Sequence, residues 1–222
     1  MEEKFLNESD AWFYRNKSII VAKGEVSEGT KLASEFIEKS TLDIDWSKER
    51  ILEIGACYGY NLKYLADKFD VMCYGIDPSG EAVKYGNEKF KNINLVQGSA
   101  ENLPYNDEKF YIVIMGFCMY EIERRYLMRV VSEADRVLKE GGYLMLVDFD
   151  TYSPYKRRNI HNSEMWTYKM QYINLFLSNP QYCLVYKKSF SDNGMWFCKE
   201  IQERISFNVL YKDVVNNIYI NG

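Results

Sequence analysis

Apolar positions along the chain come in short runs separated by stretches with a three-to-four-residue period, which predicts strands alternating with helices. Ser9 to Ala22 and Glu28 to Ser40 read as helices, the second with Leu32, Ala33, Phe36 and Ile37 on one face. The run Ile51 to Ile54 reads as a buried strand. After Gly59, Leu62, Leu65, Ala66 and Phe69 recur at helical spacing. Val71 to Ile76, Ile93 to Val96, Phe110 to Met115 and Tyr143 to Val147 are further strands, the last ending at Asp148. Between them, Glu81 to Phe90 reads as a helix, and Leu127, Val130, Val131, Ala134, Val137 and Leu138 form the stripe of another. Strict alternation of this kind predicts an α/β fold whose parallel sheet is covered on both faces. The pattern breaks after Asp148. Residues 151–180 are rich in aromatic and basic groups between Pro154 and Pro180, and Tyr182 to Phe190 with Ile205, Phe207 and Val209 then predict an antiparallel pair joined through Asp192-Asn193-Gly194.

Composition narrows the class. With 222 residues, 47% of them hydrophobic, the chain can bury one good core, so a single domain over 1–222 is expected. Its expected parts are a helical cap (1–45), a core (46–150), an insertion covering the active site (151–180) and the terminal β pair (181–222). No apolar stretch approaches a membrane span, and the acidic start Met1-Glu2-Glu3-Lys4 lacks a signal-peptide pattern, so a cytoplasmic protein without a membrane partner is expected. A net charge of -4 argues against nonspecific nucleic-acid binding. The five cysteines are scattered, without a Cys-x-x-Cys pair, which predicts reduced thiols and no metal framework. No internal repeat or low-complexity linker interrupts the chain.

Chemistry concentrates at Glu53-Ile54-Gly55-Ala56-Cys57-Tyr58-Gly59, where a strand ends in an acid and turns through two glycines. Glycines let backbone approach a ligand at a strand mouth, and Asp77, at the tip of the next apolar run, can accept hydrogen bonds from two ribose hydroxyls. The dinucleotide fingerprint Gly-x-Gly-x-x-Gly fails at Cys57 and Tyr60. The acid-x-Gly-x-x-x-Gly spacing resembles instead the first motif of class I S-adenosylmethionine-dependent methyltransferases, which usually have a glycine where this chain has Cys57. Gly98-Ser99-Ala100-Glu101-Asn102-Leu103-Pro104 is similar to the family's adenine loop, with Ser99 in place of an aspartate, and Glu133 to Gly142 resembles the helix and Gly-Gly turn before the fifth strand.

This resemblance implies a Rossmann-like, doubly wound sheet of about seven strands, mostly parallel with an antiparallel C-terminal strand. It also implies S-adenosyl-L-methionine as cofactor and a small-molecule methyl acceptor. The residues it assigns to the cofactor are Glu53, Gly55, Ala56, Cys57, Gly59, Asp77, Pro78, Ser99, Ala100, Glu101, Gly116 and Phe117. Simpler roles stand beside these: a buried acid steadying the turn for Glu53, a helix N-cap for Asp77, core packing for Gly116 to Met119. Trp12, Tyr14, Arg15 and Asn16 could close over the methionine end. His161, the sole histidine, is the group whose ordinary pKa suits proton removal from a hydroxyl, with Asp148 and Tyr120 as rival bases. The Lys156-Arg157-Arg158 run is a solvated face or a phosphate-holding one. The expected activity is O-methylation of a sugar or nucleotide-linked sugar of a surface polysaccharide; alternatives are N-methylation of a small amine or a noncatalytic cofactor-binding protein. An enzyme acting on a flipped nucleobase is disfavoured, because Gly116-Phe117-Cys118-Met119 stands where those carry an Asp/Asn-Pro-Pro-aromatic stretch.

Overall fold

The computed structural model describes residues 3–23, 26–41, 43–159, 161–190 and 197–214. The chain divides into two compact units, Met1–Tyr105 and Asn106–Gly222.

In the first unit, helices α1 (Glu3–Lys23) and α2 (Glu28–Ser40) precede β1 (Arg50–Ile54), α3 (Tyr60–Phe69), β2 (Met72–Asp77), α4 (Gly80–Lys89) and β3 (Ile93–Gln97). The three strands lie in the order β3-β2-β1 and pair in parallel, Ile54 opposite Ile76 and Asp77 opposite Gln97. Parallel strands need crossovers, and α3 and α4 supply them, with Leu62, Leu65 and Ala82 buried on the sheet. Helix starts follow local chemistry: Ser27 accepts the Thr30 amide at α2, and Ser79 accepts the Ala82 amide at α4. Ser79, and not Asp77, is therefore the N-cap of α4. Helix α1 begins before the expected Ser9 and packs Phe13, 1% exposed, among the rings of Tyr58 and Tyr85.

The second unit contains β4 (Phe110–Gly116), α5 (Leu127–Val137), β5 (Leu138–Phe149), β6 (Tyr155–Arg158), β7 (Trp166–Lys169), α6 (Ile173–Leu177), β8 (Tyr182–Phe190) and β9 (Ile205–Lys212). Its main strands lie in the order β4-β5-β9-β8; β4 and β5 are parallel, and β9 runs antiparallel to both β5 and β8. Three strands in the first unit and four in the second make seven, with β9 the antiparallel C-terminal one. Strand β5 begins at Leu138, directly after α5, instead of at Tyr143. The pairing jumps from Phe110 opposite Leu138 to Ile112 opposite Tyr143, so Gly141-Gly142 form a bulge inside the strand and not a turn before it. Gly141 has a φ of 76°, and a Cβ on Gly142 would meet the Tyr111 carbonyl at 2.6 Å. The 151–180 segment folds as a β6–β7 hairpin followed by α6. The expected Asp192-Asn193-Gly194 turn lies outside the described residues.

Candidate functional site

Within the first unit, the turn after β1 is built from left-handed backbone. Gly55 and Gly59 have φ of 79° and 77°, and Cys57, where the family usually has glycine, takes φ 48°. The turn is drawn onto the end of β2: the amides of Gly55 and Ala56 both donate to the Ile76 carbonyl, at 2.9 and 3.1 Å. The Asp77 carboxylate completes the join. One oxygen accepts the Cys57 amide at 2.7 Å and the other the Ser79 amide at 2.9 Å, so a single side chain at the tip of β2 holds both loops. Burial raises its pKa to about 6 against the pull of those two amides. Each oxygen keeps one lone pair for a further donor.

Glu53, on β1, is buried and its pKa is raised to about 8, chiefly by burial, with Asp77 adding to the rise; Asn61 donates weakly to Oε1 at 3.5 Å. Its Oε2 has no hydrogen-bond partner among the described residues. The Cys57 thiol is pushed well up by burial and by Asp77, so it is neutral and unreactive. Pro78 gives its carbonyl to Gln97 at 3.1 Å. Ser99, Ala100 and Glu101 form a half-buried turn, closed by the Asn102 amide on the Ser99 carbonyl at 3.2 Å, and the Gly98 amide reaches the Asp77 carbonyl at 3.0 Å. An unsatisfied buried carboxyl oxygen on Glu53, free lone pairs on Asp77 and glycine-type backbone fit a ligand with hydroxyls at one end and a cation, able to draw the Glu53 proton off, at the other. Tyr14 donates to Glu81 in the first turn of α4 at 2.7 Å, and Arg15 pairs with Glu8.

Two residues of this site escaped the sequence reading. A Cβ on Gly86 of α4 would collide with the Tyr58 carbonyl, so glycine there lets the helix press on the turn. Asp10 of α1 accepts from the Ser79 hydroxyl at 2.6 Å, tying α1 to the start of α4.

In the second unit a separate polar cluster gathers at the end of β5. Asp148, 2% exposed, accepts the Met119 amide at 3.1 Å and its neighbour Phe149's amide at 2.7 Å. Burial raises its pKa to about 7, opposed by these amides and by Arg124. Burial drives the Tyr120 phenol far up, and Glu121 and Asp148 push it further, which keeps it protonated. Arg124 was not foreseen. It donates to the Met119 carbonyl at 2.8 Å, to the Ile122 carbonyl and to the Tyr172 hydroxyl at 3.1 Å, clamping the loop after β4. Gly116 ends β4; Phe117 takes φ 51°, gives its amide to Val147 at 2.8 Å and sets its ring against Phe149.

His161 does not join that cluster. It lies exposed in the β6–β7 turn, its own amide on Asn159, and its imidazole makes no hydrogen bond among the described residues. His161 and Asp148 thus stand in opposite surroundings, the imidazole in water and the carboxyl buried. No group of metal-ligating side chains occurs among the described residues. Nor is any described helix long and apolar enough to cross a membrane.

Residues 52–146 match the methyltransferase domain family. Over 150 residues the chain is 29% identical to phthiotriol/phenolphthiotriol dimycocerosates methyltransferase 1 of Mycobacterium ulcerans, covering 65% of this chain and 52% of that protein. Over 83 residues it is 41% identical to demethylmenaquinone methyltransferase of Staphylococcus carnosus, covering 36% and 33%. The chain thus spans a third to a half of these relatives' lengths. Among solved structures, its fold resembles that of Burkholderia thailandensis 1,6-didemethyltoxoflavin-N1-methyltransferase, with bound S-adenosylhomocysteine, at TM-score 0.67 and 10% identity, covering 95% of this chain and 89% of that one. It also resembles a Methanosarcina mazei S-adenosylmethionine-dependent methyltransferase at TM-score 0.63 and 17% identity, covering 77% and 95%. The glycine turn and the acid at the tip of β2 both fall within the stretch that matches the methyltransferase domain family, and the fold is that of these solved methyltransferases.

Proposed function

We propose that this protein transfers a methyl group from S-adenosyl-L-methionine to a hydroxyl of a small molecule. The observation that carries the reading is the Asp77 carboxylate holding the Cys57 and Ser79 amides while keeping lone pairs for a ribose. Backbone of Gly55, Ala56, Cys57 and Gly59 would pass beside the cofactor, Asp77 and Pro78 would meet its ribose, and Ser99 to Glu101 its adenine. Glu53, with its unpartnered oxygen, would face the cationic amino-acid end. When bound, the cofactor supplies an electrophilic methyl on a sulfonium.

What remains for the chain is to orient the acceptor and remove its proton. Asp148 suits the second task, because a carboxylate with a pKa of about 7 can take a proton near neutrality. Tyr120 remains a neutral hydrogen-bonding group beside it. The acceptor class is open between the sugar or nucleotide-linked sugar expected from the sequence and the lipid and quinone classes named for the relatives. Transfer of labelled methyl to a panel of sugar nucleotides, quinols, phenolic lipids and small amines tests the reading; label appearing only on amines would defeat the hydroxyl assignment. Asp148→Asn should lower kcat by roughly two to four orders of magnitude with S-adenosylhomocysteine affinity nearly constant, and His161→Asn should leave turnover near normal. The reverse result would return the base to His161.

A further inference from the structure

The pleat of β6 divides the run Lys156-Arg157-Arg158 between two faces of the hairpin. On one face, with Thr167 and Lys169 of β7 opposite, charge is compensated. Arg157 lies 3.7 Å from Glu203, and the fully buried Lys169 donates to both Glu203 oxygens at 3.0 and 2.9 Å and to the Gln202 carbonyl at 2.9 Å.

The other face is different. Lys156 and Arg158 stand opposite Tyr168 and Trp166. The Lys156 ammonium lies 4.3 Å and the Arg158 guanidinium carbon 3.9 Å from the centre of the Trp166 ring, while Arg124 sits 4.3 Å from the Tyr168 ring. Among the described residues none of these three cations makes an ion pair, and Arg124 spends its donors on neutral groups. Two exposed cations gathered on one half-buried indole repel each other, and contact with the ring offsets only part of that repulsion. A polyanion reaching both would relieve it. Phosphate suits the pair, since its several oxygens can meet an arginine fork and a lysine point charge together. The hairpin is also tied to the Asp148 loop: the Tyr168 amide donates to the Tyr120 carbonyl at 2.8 Å, and Asn159 donates to Glu121 at 3.3 Å.

We propose that the Lys156–Trp166–Arg158 face recognises a phosphate group carried by the methyl acceptor, an inference that rests on the methyltransferase reading above. The test uses the intact protein saturated with S-adenosylhomocysteine, titrated calorimetrically at fixed ionic strength with pyrophosphate and with phenyl phosphate. Saturable binding is expected, weakened roughly tenfold or more in the Lys156→Gln/Arg158→Gln double variant, and changed less than about threefold in Arg157→Gln. A preference for pyrophosphate indicates a diphosphate-linked acceptor, a preference for phenyl phosphate a monoester, and either supports the face. No binding by the unaltered protein, or equal binding by the double variant, overturns the proposal. So does attachment to phosphatidylglycerol vesicles, lost in the double variant, without binding of either phosphate, because the face would then serve an anionic surface. Failure of the unaltered protein to bind S-adenosylhomocysteine would instead remove the methyltransferase reading beneath it.

Discussion

Asp77 joins two loops through one side chain. Its two oxygens already hold the Cys57 and Ser79 amides, so the group that would grip the ribose also shapes the loops around it. Asp77→Ala should weaken S-adenosylhomocysteine binding by tens of fold or more, on the order of 2 to 3 kcal/mol, and calorimetry reporting unchanged affinity would take Asp77 out of the site. Cys57 offers a milder perturbation. At φ 48° a non-glycine residue carries strain of about 1 kcal/mol, while glycine in its place adds unfolded-state entropy of similar size. Cys57→Gly should therefore keep stability within about 1 kcal/mol and binding within a few fold. Collapse of either, seen by thermal unfolding or calorimetry, would mean that the thiol itself supports the turn.

Elements meet through contacts that spacing does not advertise. Helix α4 reaches the glycine turn because Gly86 has no side chain, so Gly86→Ala must push the helix from the Tyr58 carbonyl. That variant should lose cofactor affinity although residue 86 touches no ligand, and an unaltered dissociation constant would show that the turn tolerates the shift. Strand β9 caps α5 in a comparable way. The Lys212 ammonium, almost buried, donates to the carbonyls of Asp135 and Leu138 at 2.8 and 3.0 Å, near the negative end of the helix. Lys212→Met strands both carbonyls and should lower stability by about 1 to 3 kcal/mol in urea unfolding, with S-adenosylhomocysteine binding retained.

Across the whole molecule, three buried carboxylates, Glu53, Asp77 and Asp148, have pKa values raised to about 8, 6 and 7. For each, the folded state holds its proton more tightly than the unfolded one. Stability contributed by the protonated form is thus complete below the ordinary carboxylate range and is lost as pH rises through the raised values. The cofactor-free protein should become less stable between about pH 4.5 and 8. Glu53→Gln removes the widest of the three windows and should flatten that decline, by up to a few kcal/mol between pH 5 and pH 8 in denaturant titrations. An equally steep fall in the variant would show that Glu53 is ionised in the folded protein.

Local chemistry made much of this readable in advance. The alternation of apolar runs with helical stripes determined the α/β order, because burial on a two-sided sheet demands it, and Gly55, Gly59 and Asp77 marked the turn because few residues can adopt or serve it. Strand ends were legible to within a few residues, except at β5, where a glycine bulge extended pairing past an apparent turn. Other features depend on distant partners. Ser79 is the cap because its hydroxyl reaches the Ala82 amide, while the Asp77 oxygens hold the Cys57 and Ser79 amides; Arg124 became a clamp because the carbonyls of Met119 and Ile122 and the Tyr172 hydroxyl converge on it. The base proposed above, Asp148, differs from the His161 expected from the sequence for the same reason. An imidazole's ordinary pKa can be read from residue type alone, but burial decides which carboxylate is raised toward neutrality and which histidine is left in water, and only tertiary structure sets burial.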